Sequence, residues 1–525
     1  MGLQISDLWR APVVNPVNRK ARSVPVLNVV DPHGRVFFFS WIGFMIAFWA
    51  WYTFPPLLTV TIKADLQLTS AQVANSNIVS LASTLFIRLI AGPLCDQLGP
   101  RMVFSLTLLI GSIPIGLAPL IKDATGLYIS RFFIGILGGS FVPCQVWCTG
   151  WFDKNVVGTA NALAGGWGNA GGGITYFIMP AVYDSLKHHF GRSSSEAWRI
   201  TFVVPLICLI ACGLGMLLLC EDTPMGKWSE RHNHVRQNLE SHGLPGSLVD
   251  ITNTVTDSLS PPTTTSSENK PVNNNQPTTT TPSSRSSIQG FDHEITISRT
   301  EAITTARGET ISAPTLSEIL SITFSLHALF HALTYACSFG SELAINSILA
   351  AYYLKNFPAP QLTQTTASTY AAIFGFMNLV TRPLGGIVGD ALYAGFGDSL
   401  WRKKLWIHVC GVLTGVFLIV IGTLDPHHLP TMIGLVSLMA VFHEAGNGAN
   451  FALVPHVYPY ANGVVAGLTG AGGNLGGVVF AVVFRFMGDG TDYAKGFWVI
   501  GIVHVVVNLA VLWIPPVPRG QVGGG

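Results

Sequence analysis

Charge is what this chain has least of. Asp, Glu, Lys and Arg make up 11% of its 525 residues, and 49% are hydrophobic; a soluble domain carries about 25% charged residues. That balance excludes a water-soluble globular protein and points to an integral membrane protein. The net charge of +2 names no partner, and the lack of any basic run removes the footprint that nucleic-acid binding needs. Cysteine is scarce as well, with eight residues almost all inside apolar stretches. Cys144/Cys148 and Cys208/Cys212 stand four apart, a spacing that puts small packing residues on one helix face, so neither a disulfide nor a metal site is expected. No nucleotide loop, nucleophile–base arrangement or metal-ligand spacing occurs, so no enzyme and no cofactor are expected. The first 35 residues hold Arg10, Arg19, Lys20, Arg22 and Arg35 without an early apolar core, which reads as a cytoplasmic tail rather than a cleaved leader.

What is present is a set of stretches long enough to cross a bilayer, each needing about 17–25 residues. They fall near 36–60, 76–95, 102–121, 127–152, 157–182 and 200–220, then near 321–354, 368–391, 404–423, 430–454, 463–488 and 496–515. The expected fold is an all-α membrane protein of twelve transmembrane helices in two pseudo-symmetric six-helix bundles. Its divisions are a tail (1–35), a first bundle (36–222), a disordered cytoplasmic linker (223–317), a second bundle (318–516) and a C-terminal tail (517–525). The linker is rich in Ser, Thr, Pro and Asn and nearly free of aromatics, so it cannot bury enough apolar surface to fold alone; it offers a place for a kinase or regulatory contact. Basic residues in the linker and at Arg402, Lys403 and Lys404 favour a cytoplasmic face, and an even span number then puts both termini inside.

Two phrases repeat. RLIAGPLCD runs from Arg88 to Asp96 and RPLGGIVGD from Arg382 to Asp390, both Arg-x-x-x-Gly-x-x-x-Asp and both 294 positions apart (382 − 88; 390 − 96). An arginine inside a span costs about 2.5–3.5 kcal/mol on insertion scales and by default faces the bundle interior as a functional group. Guanidinium keeps its proton and presents planar donors suited to oxyanions, so a symmetric pair implies a small planar anion held between the halves. Glycine runs repeat too: GGWGNAGGG (165–173) and GAGGNLGG (470–477) align at an offset of 305, placing Asn169 on Asn474 and Gly168, Gly171 and Gly172 on Gly473, Gly476 and Gly477. Small residues at this spacing let helices approach closely in lipid, and the two amides can donate to an anion or to a neighbouring helix. Asp96, with Arg101 beyond it, and Asp390 end their spans and read as conformational latches. Phe48, Phe141, Tyr335 and Phe339 add aromatic surface that is either core or pore lining.

These motifs resemble the nitrate/nitrite porter family of the major facilitator superfamily, and the long polar insert after the sixth span is similar to the fungal high-affinity type. GPLCDQLGPR (92–101) resembles the superfamily's loop motif; after Asp390 the second copy departs from it, with ALYAGFGDSLWRKK intervening before the basic cluster. The resemblance implies that Arg88 and Arg382 clamp nitrate, that Asn169 donates an amide, that Phe48 and Phe141 sandwich the ion, and that Tyr335 gives a hydroxyl; Asn474 joins them by the repeat. It implies nitrate and nitrite uptake at the plasma membrane with proton symport. Candidates for a proton path are His327, His331, Glu342, His443 and Glu444. Alternatives are a nitrate/nitrite exchanger, a nitrate receptor signalling through the linker, and a drug or sugar carrier, which the arginine pair disfavours.

Overall fold

In lipid no water satisfies the backbone, so spanning segments close their hydrogen bonds within helices, and the chain does this repeatedly. The computed structural model describes residues 5–243, 287–288, 294–298, 302, 305, 314–358, 360–362, 364–395, 399–487 and 492–518. Span one is Pro32–Trp51, started by Asp31, whose side chain accepts from His33 N at 2.9 Å. Span two, Ser70–Leu98, begins with a Thr69/Gln72 capping box and stops at Gly99, whose φ of 88° suits a residue without Cβ. Span three is Pro100–Leu117. Span four is two helices, Ala124–Ile134 and Phe141–Trp151, joined by a 3-10 segment Gly135–Ser140. Spans five and six are Val157–His188 and Ser194–Leu219.

The second bundle repeats the pattern. Span seven, Leu326–Asn356, follows Leu316–Thr323 at a bend of 57°. Span eight is broken into Gln364–Met377 and Thr381–Gly395. Spans nine to twelve are Leu400–Leu424, Leu429–Val457, Asn462–Phe486 and Tyr493–Ala510. Ten of these are apolar and long enough to cross a membrane, eleven with the bent pair. Val157–His188 completes the twelve; at 32 residues it is long enough, and its glycines and asparagine lower its apolarity.

Both glycine runs do the same packing job. A Cβ on Gly171 would press on the span-one backbone at Trp49 N (2.9 Å), and one on Gly476 would press on the span-seven backbone at Ala336 (2.8 Å). Gly168 and Gly172 likewise face Phe44 and Tyr52 of span one, and Gly473 and Gly477 face Tyr335 and Leu343 of span seven. The halves are thus built alike, with five on one and eleven on seven.

The linker differs from its expectation at its start. Arg231–Ser241 is a helix, and its Val235 and Leu239 are buried with Val17, Ile297 and Ala302. Asn238 Nδ2 donates to Val17 O at 3.1 Å. A segment too polar to fold alone folds here because Val17 of the N-terminal tail and Ile297 and Ala302 from the far end of the linker supply its apolar partners. The Ser/Thr/Pro/Asn repeat at 251–286 lies outside the described residues.

Candidate functional site

Arg88 sits near the middle of span two, and Arg382 sits in the first turn after the break in span eight. Both are 1% exposed. Arg88 Nε donates to Gly138 O in the 3-10 segment of span four at 2.9 Å, and its Nη1 donates to Gly470 O of span eleven at 3.0 Å. One guanidinium therefore touches both bundles. Arg382 Nη2 donates to Tyr335 Oη at 3.0 Å, and its Nη1 is buried with no partner. Neither arginine is in an ion pair with a carboxylate among the described residues.

Phe141 stands between them, its ring centroid 5.0 Å from Arg88 Cζ and 5.4 Å from Arg382 Cζ. Phe339 lies 5.3 Å from Arg88 Cζ and stacks on Tyr335 at 5.2 Å. Cation–π contacts of this kind hold the guanidinium faces and leave their edges, where the N–H groups point, for an oxyanion. Phe48 is one ring removed, touching Phe44, which in turn touches Phe141.

The break in span eight places more than Arg382. Asn378, in the interruption, donates Nδ2 to Glu342 Oε1 at 2.7 Å. Asn169 is buried with both amide atoms unpartnered, and Asn474 Nδ2 is unpartnered as well. Unpartnered buried amides are rare and costly. Each follows by one helical turn a glycine that abuts an arginine: a Cβ on Gly165 would lie 3.0 Å from Arg382 Nε, and one on Gly470 would lie 3.2 Å from Arg88 Cδ. Gly165 and Gly470 were not singled out from the sequence, although they too differ by 305 and lie in the two runs. The site is thus cross-built, each arginine seated on the opposite bundle's glycine helix.

A third buried arginine was also missed. Arg131 of span four donates Nη1 to Trp51 O at 3.2 Å and Nη2 to Asn77 Oδ1 at 2.6 Å. All three groups belong to the first bundle, so it braces spans one, two and four.

The two aspartates close one face. Asp96 Oδ1 and Oδ2 accept from Gly463 N (2.9 Å) and Val464 N (3.1 Å), capping span eleven, where the helix dipole favours an anion. Asp390 Oδ2 accepts from Thr159 N at 2.5 Å near the start of span five, and its Oδ1 accepts from Lys403 Nζ at 2.9 Å. The departed second motif thus still supplies a cation, thirteen residues on. Arg101 pairs instead with Asp222 at 2.7 Å, tying span three to the end of span six. Trp228 of the linker donates Nε1 to Asp96 O at 3.0 Å. Asp96→Ala removes two charge-assisted bonds worth about 1.5–3 kcal/mol each. We expect that variant to transport at least roughly tenfold more slowly at equal surface abundance and to expose cysteines placed at that face; an unchanged rate would make Asp96 an ordinary cap.

Of the proton candidates, Glu342 and Glu444 bond Asn378 and Thr381 at span eight's break, and His443 bonds Ser341 and stacks on Phe374 a turn before that break, while His331 bonds Asn450 Oδ1 at 2.7 Å and His327 packs edge-on to Tyr458.

The Major Facilitator Superfamily profile matches residues 40–288 and 331–524. Elsinochrome transporter 1 of Elsinoe fawcettii is 35% identical over 99% of this chain and all of its own length. Nitrate transporter 2.1 of Chlamydomonas reinhardtii is 30% identical, covering 94% of this chain and 77% of its own. The solved proton:xylose symporter XylE superposes with a TM-score of 0.59 at 13% identity, covering 90% of this chain and 94% of that one. That last likeness speaks to fold alone.

Proposed function

This chain belongs to the Major Facilitator Superfamily and, within it, to the nitrate/nitrite porters, and from that premise we propose that it imports nitrate with high affinity across the plasma membrane by alternating access, driven by protons, with nitrite as a second cargo. The observation that carries this reading is the shared aromatic floor: two buried guanidiniums from opposite bundles rest on Phe141, unpaired by any carboxylate among the described residues. Nitrate is planar and monovalent, so it can take N–H donors from both forks in its plane while its faces meet rings. Asn169, Asn474 and Tyr335 surround it as further donors, and Phe48 backs the aromatic wall.

Basic residues on the tail and linker favour a cytoplasmic location for both termini. The face closed by Asp96 and Asp390 is then the cytoplasmic one. Gly168, Gly171 and Gly172, with their counterparts Gly473, Gly476 and Gly477, keep each bundle rigid while the two bundles rock about the arginines. Bringing an anion into a negative-inside cell costs about 2.3 kcal/mol per 100 mV, which protons entering with it offset. The Ser/Thr-rich stretch outside the described residues would be the place where a kinase acts.

The test is uptake into proteoliposomes. An inward proton gradient alone should concentrate nitrate several-fold above its external level; uptake only when nitrite is loaded inside would establish exchange instead. The 35% relative favours a second reading in which the cargo is elsinochrome. Competition decides: unlabelled nitrate should abolish uptake of tracer nitrate, and elsinochrome should leave it unchanged.

A further inference from the structure

We propose that Glu444 carries the coupled proton while Glu342 stays ionised as the fixed counter-charge of Arg382. This assignment rests on the proton-symport reading above. Thr381 Oγ1 lies 2.9 Å from Met377 O and 2.5 Å from Glu444 Oε2. A hydroxyl has one hydrogen, and a carbonyl only accepts. Met377 O already accepts from Val380 N at 3.0 Å, so the Thr381 hydroxyl is free to donate to Glu444 Oε2 and this bond fits either state of the carboxyl; the second oxygen decides between them. The other oxygen, Glu444 Oε1, is buried with no partner. That is tolerable for the carbonyl of a neutral acid and expensive for a carboxylate.

Glu342 has the opposite setting. Its Oε1 accepts from Asn378 Nδ2 and its Oε2 from Asn447 Nδ2, both at 2.7 Å. Two N–H donors, one per oxygen, suit a carboxylate. Two carboxyl groups in one neighbourhood with such different partners divide into a charged member and a neutral one.

The groups around the pair come from every packed element. Arg382 on span eight acts electrostatically on both acids. Tyr335 on span seven and Tyr52 on span one both feel Glu342, and Arg88 on span two acts on those two tyrosines. On the far side His443 of span ten and His504 of span twelve share the Ser341 hydroxyl at 2.7 and 3.0 Å. They adjoin a small cavity lined in part by Ser338, Cys410 and Thr414, which offers the proton a polar way in.

Charge then enforces coupling. Nitrate and an ionised Glu444 would be two anions in one buried, low-dielectric site, so the ion binds best while Glu444 holds its proton. Loss of that proton would put a second buried negative charge beside Glu342 and the anion. Anion and proton therefore strengthen each other's binding, reciprocally as linkage requires, and departure of the proton toward the cytoplasm expels the ion.

The experiment is proton uptake on adding nitrate to purified full-length protein in weakly buffered detergent, brought first to a pH alkaline enough to empty Glu444 in the nitrate-free protein and read with a pH indicator. Wild type should take up about one proton per nitrate bound, Glu444→Gln less than about a tenth of one, and both Glu342→Gln and Glu444→Asp should keep the uptake. Loss in Glu342→Gln with retention in Glu444→Gln overturns the assignment, as does loss in both Gln variants. If Glu444→Gln does not fold, the Glu342→Gln and Glu444→Asp results decide alone: loss in either overturns it, and retention in both upholds it. A wild type that binds nitrate and takes up no proton overturns the symport reading, and the assignment falls with it, an outcome distinguishable from a misplaced proton.

Discussion

Replacing Arg88 by lysine is expected to raise the half-saturation concentration for nitrate roughly 100-fold, even though the charge is kept. The guanidinium spends Nε on Gly138 O and Nη1 on Gly470 O, so its plane is fixed by both bundles before any ion arrives. A lysine ammonium reaches with a single nitrogen and cannot hold both carbonyls while donating to an oxyanion. Losing two charge-assisted bonds' worth of orientation, about 3 kcal/mol in all, corresponds to that factor. The concentration dependence of nitrate uptake in oocytes, at matched surface abundance, is the readout. A half-saturation within threefold of wild type would make Arg88 a structural brace, as Arg131 is here.

Gly92→Val should abolish transport while leaving nitrate binding from the outside intact. Spans two and eleven cross with almost no separation at this point: a Cβ on Gly92 would lie 3.0 Å from the carbonyl carbon of Gly463 and 3.3 Å from Val464 Cα. Backbone cannot yield as a flexible side chain can, so the bundles must part and span eleven loses its Asp96 cap. Gly386→Val should do the same at the crossing of spans eight and five, where a Cβ would lie 3.0 Å from the Gly158 carbonyl carbon. Gly434→Ala in span ten is the control, since nothing lies within 4 Å of a Cβ there. Tracer uptake, together with labelling of a cysteine at the closed face, measures both consequences. Transport above about a tenth of wild type in Gly92→Val would show that the face need not close this tightly.

Much of this was legible because internal repetition leaves its mark in sequence. The two Arg-x-x-x-Gly-x-x-x-Asp phrases mark equivalent positions, and the structure seats both arginines against Phe141. The glycine runs marked equivalent helices, and within them Asn169 is buried with both amide atoms unpartnered and Asn474 with its Nδ2 unpartnered. Other features left weaker traces. The span-eight break falls in GFMNLVTRP, as apolar as its surroundings; its one signal is Pro383, tolerated in a helix's first turn and not deep inside one. Gly165 and Gly470 looked like two more packing glycines until their neighbours proved to be arginines. Arg131 has no twin phrase in the second half. The linker helix depends on Val17 and Ile297, partners far away in the chain, which no local composition announces. The second latch hid because Lys403 reaches Asp390 from the next span rather than from the loop.

The central claim is that one anion sits between Arg88 and Arg382. A structure determined in nitrate tests it most directly. The account predicts a single trigonal density over Phe141, within hydrogen-bond reach of Arg382 Nη1 and of the Arg88 guanidinium. An ion bound elsewhere, or arginines that turn to Glu342 and Glu444 while that position stays empty in saturating nitrate, would contradict it.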